Sequence, residues 1–322
     1  MRRIARLSLV LFATVFALVG ALAHEAWAEK KIGVLLWSDE SRYAESKDGI
    51  LEQMKKDGFG EPKVSFTLEN AGGNKVKAME LARKIAAAKY DLVLAVGTSA
   101  AVAVANEVKG TPIVFSMVYD PVDSKIADSW KSSGNNTTGA SPRVPMEQLL
   151  ENLKKLAPVK TLAVLYTPGE KNSEAQLKEV QAAAGGLQVK ILPVPVSNKE
   201  GVASMLSEVL TRAEAVYLTG SNVVGDALSA IVGSATKAKV ITISHLSDHV
   251  EKGVLLGVCA DPRAVGRLAG TKAAKVLKGA KPSSLPIEMV GRFDVIVNMK
   301  TAKEGKIQVP EAFLKTAARV IQ

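Results

Sequence analysis

With one cysteine, Cys259, and three histidines in 322 residues, the chain cannot form an internal disulfide or a zinc site of four cysteines or of two cysteines and two histidines. Aromatic residues make up only 5% of it, so few side chains can stack on a ring-bearing ligand or on unpaired bases. No G-x-G-x-x-G follows a strand-like run and no G-x-x-x-x-G-K-[ST] occurs, which argues against nicotinamide chemistry and ATP hydrolysis. The G-x-S-x-G nucleophile elbow is missing too, and only His245 and His249 remain for a hydrolytic triad once His24 is set aside with the N-terminal segment. No cofactor and no catalytic residue is expected.

Long apolar runs are equally scarce. The only one, residues 7–22, lies behind Arg2, Arg3 and Arg6 and ahead of the small-x-small site Ala26-Trp27-Ala28. That order is a secretory signal over residues 1–28, and the run is short of the ~20 residues a membrane span needs. No cysteine follows it, so a lipid anchor is not expected. Losing three arginines and Glu25 with it lowers the formal charge from +10 to +8. Lys275, Lys278 and Lys281 fall at exposed spacings without interleaved aromatics, which reads as a solvated surface with no nucleic-acid partner.

What the chain does have is alternation. Aliphatic and β-branched runs at 32–37, 63–68, 92–96 and 113–118 are separated by helical periodicity at 46–56 and 75–88. After the Gly/Ser/Asn/Thr/Pro-rich stretch 132–145, a linker or crossover by composition, the pattern restarts. Strand-like runs at 161–166, 189–196, 215–218, 240–243 and 254–258 then alternate with helices near 173–184, 199–211 and 225–235. A late helix over 261–279 and a final strand at 293–298 follow. Strand–helix alternation predicts an α/β fold of parallel sheets with helices on both faces, in two lobes.

Open parallel sheets bind ligands where strands end and helices begin. Trp37 and Ser38 end the first strand; Thr98 and Ser99 open a helix whose free N–H groups suit an anion; Asp120 follows the fourth strand. In the second half, Asn172 and Ser173 open one helix and Ser221 and Asn222 follow another strand. Helix capping and turn geometry explain the same residue types, so their recurrence at strand ends in both halves is what singles them out. His245 and His249 are four apart but lack the H-E-x-x-H glutamate, so they are read as part of a polar loop. Cys259 reads as a small buried hydrophobe.

Ordered motifs along nearly the whole chain resemble the exported substrate-binding proteins of ABC importers of the tryptophan/tyrosine type. They include Gly97-Thr98-Ser99-Ala100-Ala101, Pro112-Ile113-Val114-Phe115 running to Asp120-Pro121-Val122, and Gly134-Asn135-Asn136-Thr137-Thr138-Gly139-Ala140-Ser141. Gly169-Glu170-Lys171-Asn172-Ser173, Val265-Gly266-Arg267 and Val297-Asn298-Met299-Lys300-Thr301 continue the series. The resemblance implies a type I periplasmic-binding-protein fold: two Rossmann-like lobes with parallel sheets, joined by crossovers and closing on a small ligand. It implies an N-terminal lobe of 29–140 and 262–282 and a C-terminal lobe of 141–261 and 283–322.

The implied role is capture of a small organic molecule in the periplasm for delivery to an inner-membrane ABC permease, by a monomer. A ligand sensor for a membrane-bound kinase or chemoreceptor is the alternative. An amino acid, aromatic before others, is the ligand the resemblance suggests. Thr98 and Ser99 would hold an anion, Asp120 and Asp261 a cation, Asn172 and Ser173 would cap from the second lobe, and Trp37 would stack. Where many relatives have Asp-Asn and Gly-x-Asp-Tyr, this chain has Ser221-Asn222 and Cys259-Ala260-Asp261-Pro262. Those losses leave a neutral or anionic ligand in contention.

Overall fold

The computed structural model describes residues 29–322; the signal read at 1–28 lies outside the described residues. Five strands, β1 (Lys30–Leu36), β2 (Val64–Asn70), β3 (Leu92–Val96), β4 (Ile113–Ser116) and β5 (Thr137–Ser141), build most of a first sheet. The next five, β6 (Thr161–Tyr166), β7 (Lys190–Pro195), β8 (Ala215–Leu218), β9 (Ile241–Ser244) and β10 (Leu256–Cys259), build a second. Short β11 (Glu288–Met289) returns to the first sheet, whereas β12 (Asp294–Asn298) and β13 (Arg319–Ile321) complete the second. Strand order is β11-β5-β4-β3-β1-β2 in one and β13-β12-β10-β9-β8-β6-β7 in the other, with β10 and β12 the only antiparallel neighbours among the described residues.

Helices alternate with these strands: α1 (Ser41–Lys56), α2 (Lys75–Ala87) and α3 (Thr98–Glu107), then α4 (Met146–Leu156), α5 (Lys171–Leu187) and α6 (Lys199–Arg212). Short α7 (Asn222–Asp226), α8 (Leu228–Ala238) and short α9 (Ser247–Glu251) precede the long α10 (Pro262–Leu277), and α11 (Met299–Glu304) and α12 (Glu311–Leu314) close the chain. The aliphatic strand β3 and its neighbour β4 are buried along their whole length, as expected of central strands covered on both faces. Among the described residues no helix is long and apolar enough to cross a membrane.

The late helix α10 packs on α1 of the first lobe. Three glycines make that crossing close: a Cβ on Gly49 would collide with the backbone of Arg263, one on Gly266 with that of Ser46, and one on Gly270 with Ile50. The chain passes between the sheets after β5, after β10 and between β11 and β12.

Two local expectations are corrected. The stretch 132–145 contains β5, in the first sheet. Its polar residues hid the strand because they bond inward: the Thr137 hydroxyl donates to the Ile126 carbonyl (3.2 Å) and that of Ser141 to the Tyr119 carbonyl (2.7 Å). Second, β11 pairs with β5, so the return to the second sheet comes after Met289 and not at 283.

Candidate functional site

The carboxyl ends of β1, β3 and β4 face those of β6, β8 and β9 across the cleft, and a small cavity lies between them. Trp37, Arg42, Tyr43, Thr98, Met117 and Tyr119 belong to the first lobe's wall. Glu170, Asn172, Gln176, Gly220, His245 and Leu246 belong to the second lobe's. The volume left is about 30 Å³, room for about two water molecules.

On the first wall, Gly97 has φ +101°, and a Cβ there would stand 2.8 Å from that of Trp37 and 3.0 Å from the Tyr43 ring. Glycine thus lets the β3–α3 turn press against both aromatics. It also aims the first turn of α3, with N–H groups that lack intrahelical acceptors, at the cavity. The Thr98 hydroxyl accepts from the Tyr119 N–H (3.3 Å), and Met117 adopts φ +58°, a left-handed conformation that fixes the 117–119 segment against the cavity.

Arg42, in the first turn of α1, is buried. Its guanidinium bonds Asp248 of the other lobe (2.6 Å) and Glu40 (2.7 Å) and lies 4.7 Å from the Tyr43 ring centre. Burial works against its charge, but Tyr43, Asp248 and Glu40 outweigh it and raise its pKa. Burial pushes Asp248 the other way, and the Arg42 charge in front of it nevertheless holds its carboxyl below the usual range.

On the second wall, Gln176 accepts the Gly220 N–H at its Oε1 (2.8 Å), which leaves its NH₂ facing His245 Nε2 (3.2 Å). Nε2 is therefore an acceptor, and the His245 proton sits on Nδ1, donated to the Tyr217 hydroxyl (2.8 Å). Burial lowers the His245 pKa to about 3, so the ring is neutral. Glu170 is 5% exposed, accepts the Asn222 N–H (3.1 Å), and has no ion-pair partner among the described residues. Burial raises its pKa.

Several bonds hold the lobes together. Trp37 Nε1 donates to Asn222 Oδ1 (2.9 Å), and Asn222 Nδ2 donates to the Gly73 carbonyl (2.9 Å). At the opposite end the Tyr119 hydroxyl donates to Glu179 (2.7 Å), and Arg143 bridges Glu179 (2.8 Å) and Asp120 (3.2 Å). This is a closed arrangement.

Of the residues singled out in the sequence, Trp37, Thr98, Ser99 and Asn172 line the cavity together. Ser38 bonds Glu40 (2.9 Å); Ser173 bonds Thr219 (2.9 Å); Ser221 bonds Thr167 (2.5 Å); Asn222 forms the interlobe bonds just described. Asp120 caps its own turn, accepting from the N–H groups of Val122 and Asp123 (both 2.9 Å). Asp261 stands apart: it caps α10 through the Arg263 N–H (3.0 Å) and lines a surface groove with Arg267, because β10 leads directly into the crossover helix.

The histidines also differ from the polar loop expected of them. Both are buried, His245 against the cavity and His249 on α9 with Nδ1 3.1 Å from the Ser244 hydroxyl. Arg42, Tyr43, Met117, Tyr119, Glu170, Gln176 and His245 line the cavity without having been singled out in the sequence as ligand groups, Glu170 standing there only within a motif and His245 only in a polar loop. Tyr119, Glu170 and His245 lie just beyond strands, where the strand-end rule points; Gln176 is one turn beyond Asn172.

The family model described as ABC transporter substrate binding protein matches residues 31–321. A curated relative, the tyrosine-binding protein of Clostridioides difficile (strain R20291), is 24% identical over 282 residues, covering 87% of this chain and 82% of that protein. The Streptococcus pneumonia ABC domain solved in complex with L-Trp superposes with a TM-score of 0.87 at 28% identity, covering 91% of this chain and all of that one. The ligand-free, open structure of a Clostridium difficile substrate-binding protein with adhesive properties reaches 0.72 at 27% identity, covering 91% of this chain and 99% of that one. The better fit to the ligand-bound structure agrees with the closed cleft described above.

Proposed function

From the premise that the chain belongs to the ABC transporter substrate-binding protein family, whose members are solute-binding proteins and not enzymes, we propose that it captures a free α-amino acid, aromatic ones first. Capture takes place in the periplasm, after export by the segment at 1–28, and the closed monomer hands the ligand to an inner-membrane permease. The observation that carries this reading is the pairing of two unlike groups across one cavity. The first turn of α3, with Thr98 and Ser99, offers N–H groups and hydroxyls to a carboxylate. Glu170, from the other lobe and with no ion-pair partner among the described residues, offers a carboxylate to an ammonium. A zwitterion satisfies both at once, and only when the lobes are closed, so binding favours closure. The relatives that bind tyrosine and L-Trp support an aromatic side chain.

Thermal-shift measurements on purified 29–322 against the twenty amino acids test the reading, because a ligand bound only by the native state raises Tm. Tyrosine or tryptophan should give the largest shift. A response to simple carboxylates or purines and to no amino acid overturns it.

A further inference from the structure

The small interlobe cavity is not the only opening bordered by the ligand groups. Thr98, Ser99 and Glu170 also line an adjoining chamber of about 250 Å³. Its floor is the groove between α2 and α3, with Met79 on one side and Val102 and Ala103 on the other. Helical spacing builds it: Thr98, Val102 and Asn106 follow at four-residue intervals, so one face of α3 leads from the N-terminal turn outward along the groove. The second lobe supplies the lid through Gly169 and Lys171, and Lys75 Nζ reaches the Gly169 carbonyl (3.4 Å) across the rim. The chamber is therefore complete only when the lobes are closed.

Its chemistry is the opposite of the cavity's. The cavity is ringed by Arg42, Gln176, Asn172 and His245. The chamber presents aliphatic carbon, and Met79 remains 45% exposed beside it, with Val76 on the same helix at 66%. Uncovered apolar surface that adjoins a ligand cleft marks a place where something apolar binds.

We infer that this chamber seats the apolar side chain of the ligand, and that Met79, Val102 and Ala103 set how large a side chain is accepted; the inference rests on the amino-acid reading above. Size decides between the two openings. The cavity holds about two water molecules, too little for an indole or phenol ring, whereas about 250 Å³ is ample for one. Continuity decides the orientation: a zwitterionic head held at Thr98, Ser99 and Glu170 sits where the two openings meet, so its side chain enters the apolar one.

The test is calorimetric titration of wild type, Val102→Trp and Met79→Trp with tryptophan, tyrosine, leucine and alanine. Met79 is half-exposed, so its replacement tests the chamber even where Val102→Trp fails to fold. Filling the chamber should weaken tryptophan and tyrosine by tenfold or more and leave alanine within about twofold of its wild-type affinity, with the ligand-free Tm little changed. Wild type that binds no amino acid overturns the amino-acid reading itself. Wild type that binds tryptophan or tyrosine, with either folded variant within twofold of it for the large ligands, overturns the chamber while leaving that reading intact. Unchanged binding with lost uptake by the assembled transporter makes the groove a permease-docking face and likewise overturns the proposal.

Discussion

Trp37 and Asn222 meet across the cleft, indole N–H to amide oxygen, at 2.9 Å, and the same amide donates to the Gly73 carbonyl at 2.9 Å. One side chain of the second lobe thus holds an indole and a backbone carbonyl from two separate segments of the first. Gly73 permits this: it has φ +74°, and a Cβ on it would lie 2.8 Å from Asn222 Nδ2. Asn222→Ala removes two bonds that exist only in the closed state. Ligand affinity should fall about fivefold to thirtyfold, on the order of 1–2 kcal/mol for the pair, with the ligand-free Tm nearly unchanged. Gly73→Ala should weaken binding at least as much. Titration calorimetry with small-angle scattering checks this, and affinity held at the wild-type value in both variants would remove the clasp from the closing mechanism.

Glu170→Gln keeps the shape of the side chain and an oxygen for the Asn222 N–H while deleting the charge. Charge-assisted hydrogen bonds contribute roughly 1.5–3 kcal/mol, so amino-acid affinity should fall about tenfold to a hundredfold. Because burial raises the Glu170 pKa, wild-type affinity should also decline as the pH is lowered through mildly acidic values and the carboxylate is protonated. The glutamine variant should lose that pH dependence. Equal affinity for wild type and variant across the range would mean the ammonium is held elsewhere.

How much of this was legible in the sequence depends on where each residue sits. The alternation of aliphatic strands with helices gave the two-sheet fold, since β3 is apolar throughout, β4 is apolar up to its final Ser116, and α10 carries its helical pattern openly. Strand β5 was illegible because Thr137, Thr138 and Ser141 satisfy their hydroxyls internally, so a buried strand has the composition of a loop. The strand-end rule led to Thr98, Ser99, Trp37 and Asn172, which line the cavity together. It did not find Arg42, whose partner Asp248 is 206 residues away and whose role depends on the lobes meeting. Asn222 was chosen as a ligand group and serves as a bridge, a distinction that no single lobe's sequence carries.

Stability should fall with acidification through the histidines. Burial lowers His245 to about 3 and His249 to about 4, while the unfolded chain takes up a proton near 6.5. A depressed folded pKa contributes stability that is full above the unfolded value and is lost progressively as pH falls from about 6.5 toward the folded values, at up to about 1.4 kcal/mol per pH unit for each ring. Burial raises Glu170 and Glu179, which act in the opposite sense from about 4.5 upward and blunt the slope there. His245→Gln should flatten the dependence of Tm on pH between 6.5 and 4.5. A wild-type Tm that is constant over that interval would contradict neutral, buried histidines.

Arg42 and Asp248 form a buried interlobe ion pair at 2.6 Å, with the second carboxylate oxygen of Asp248 lacking any partner. Removing one member leaves the other charge buried, which costs about 3–5 kcal/mol in comparable sites, whereas replacing both with apolar groups is often nearly neutral. Arg42→Met should therefore lower Tm sharply, with Asp248 left facing Lys252 and His249 alone and its carboxyl drawn upward by burial. The double variant Arg42→Met with Asp248→Leu should recover most of that loss. Glu40, which also bonds Arg42, is about one-fifth exposed and can turn to solvent, so it does not hold the double variant down. If ligand affinity stays impaired when stability returns, Arg42 acts on the ligand directly from the cavity wall; if affinity returns too, its role is to hold the lobes in register.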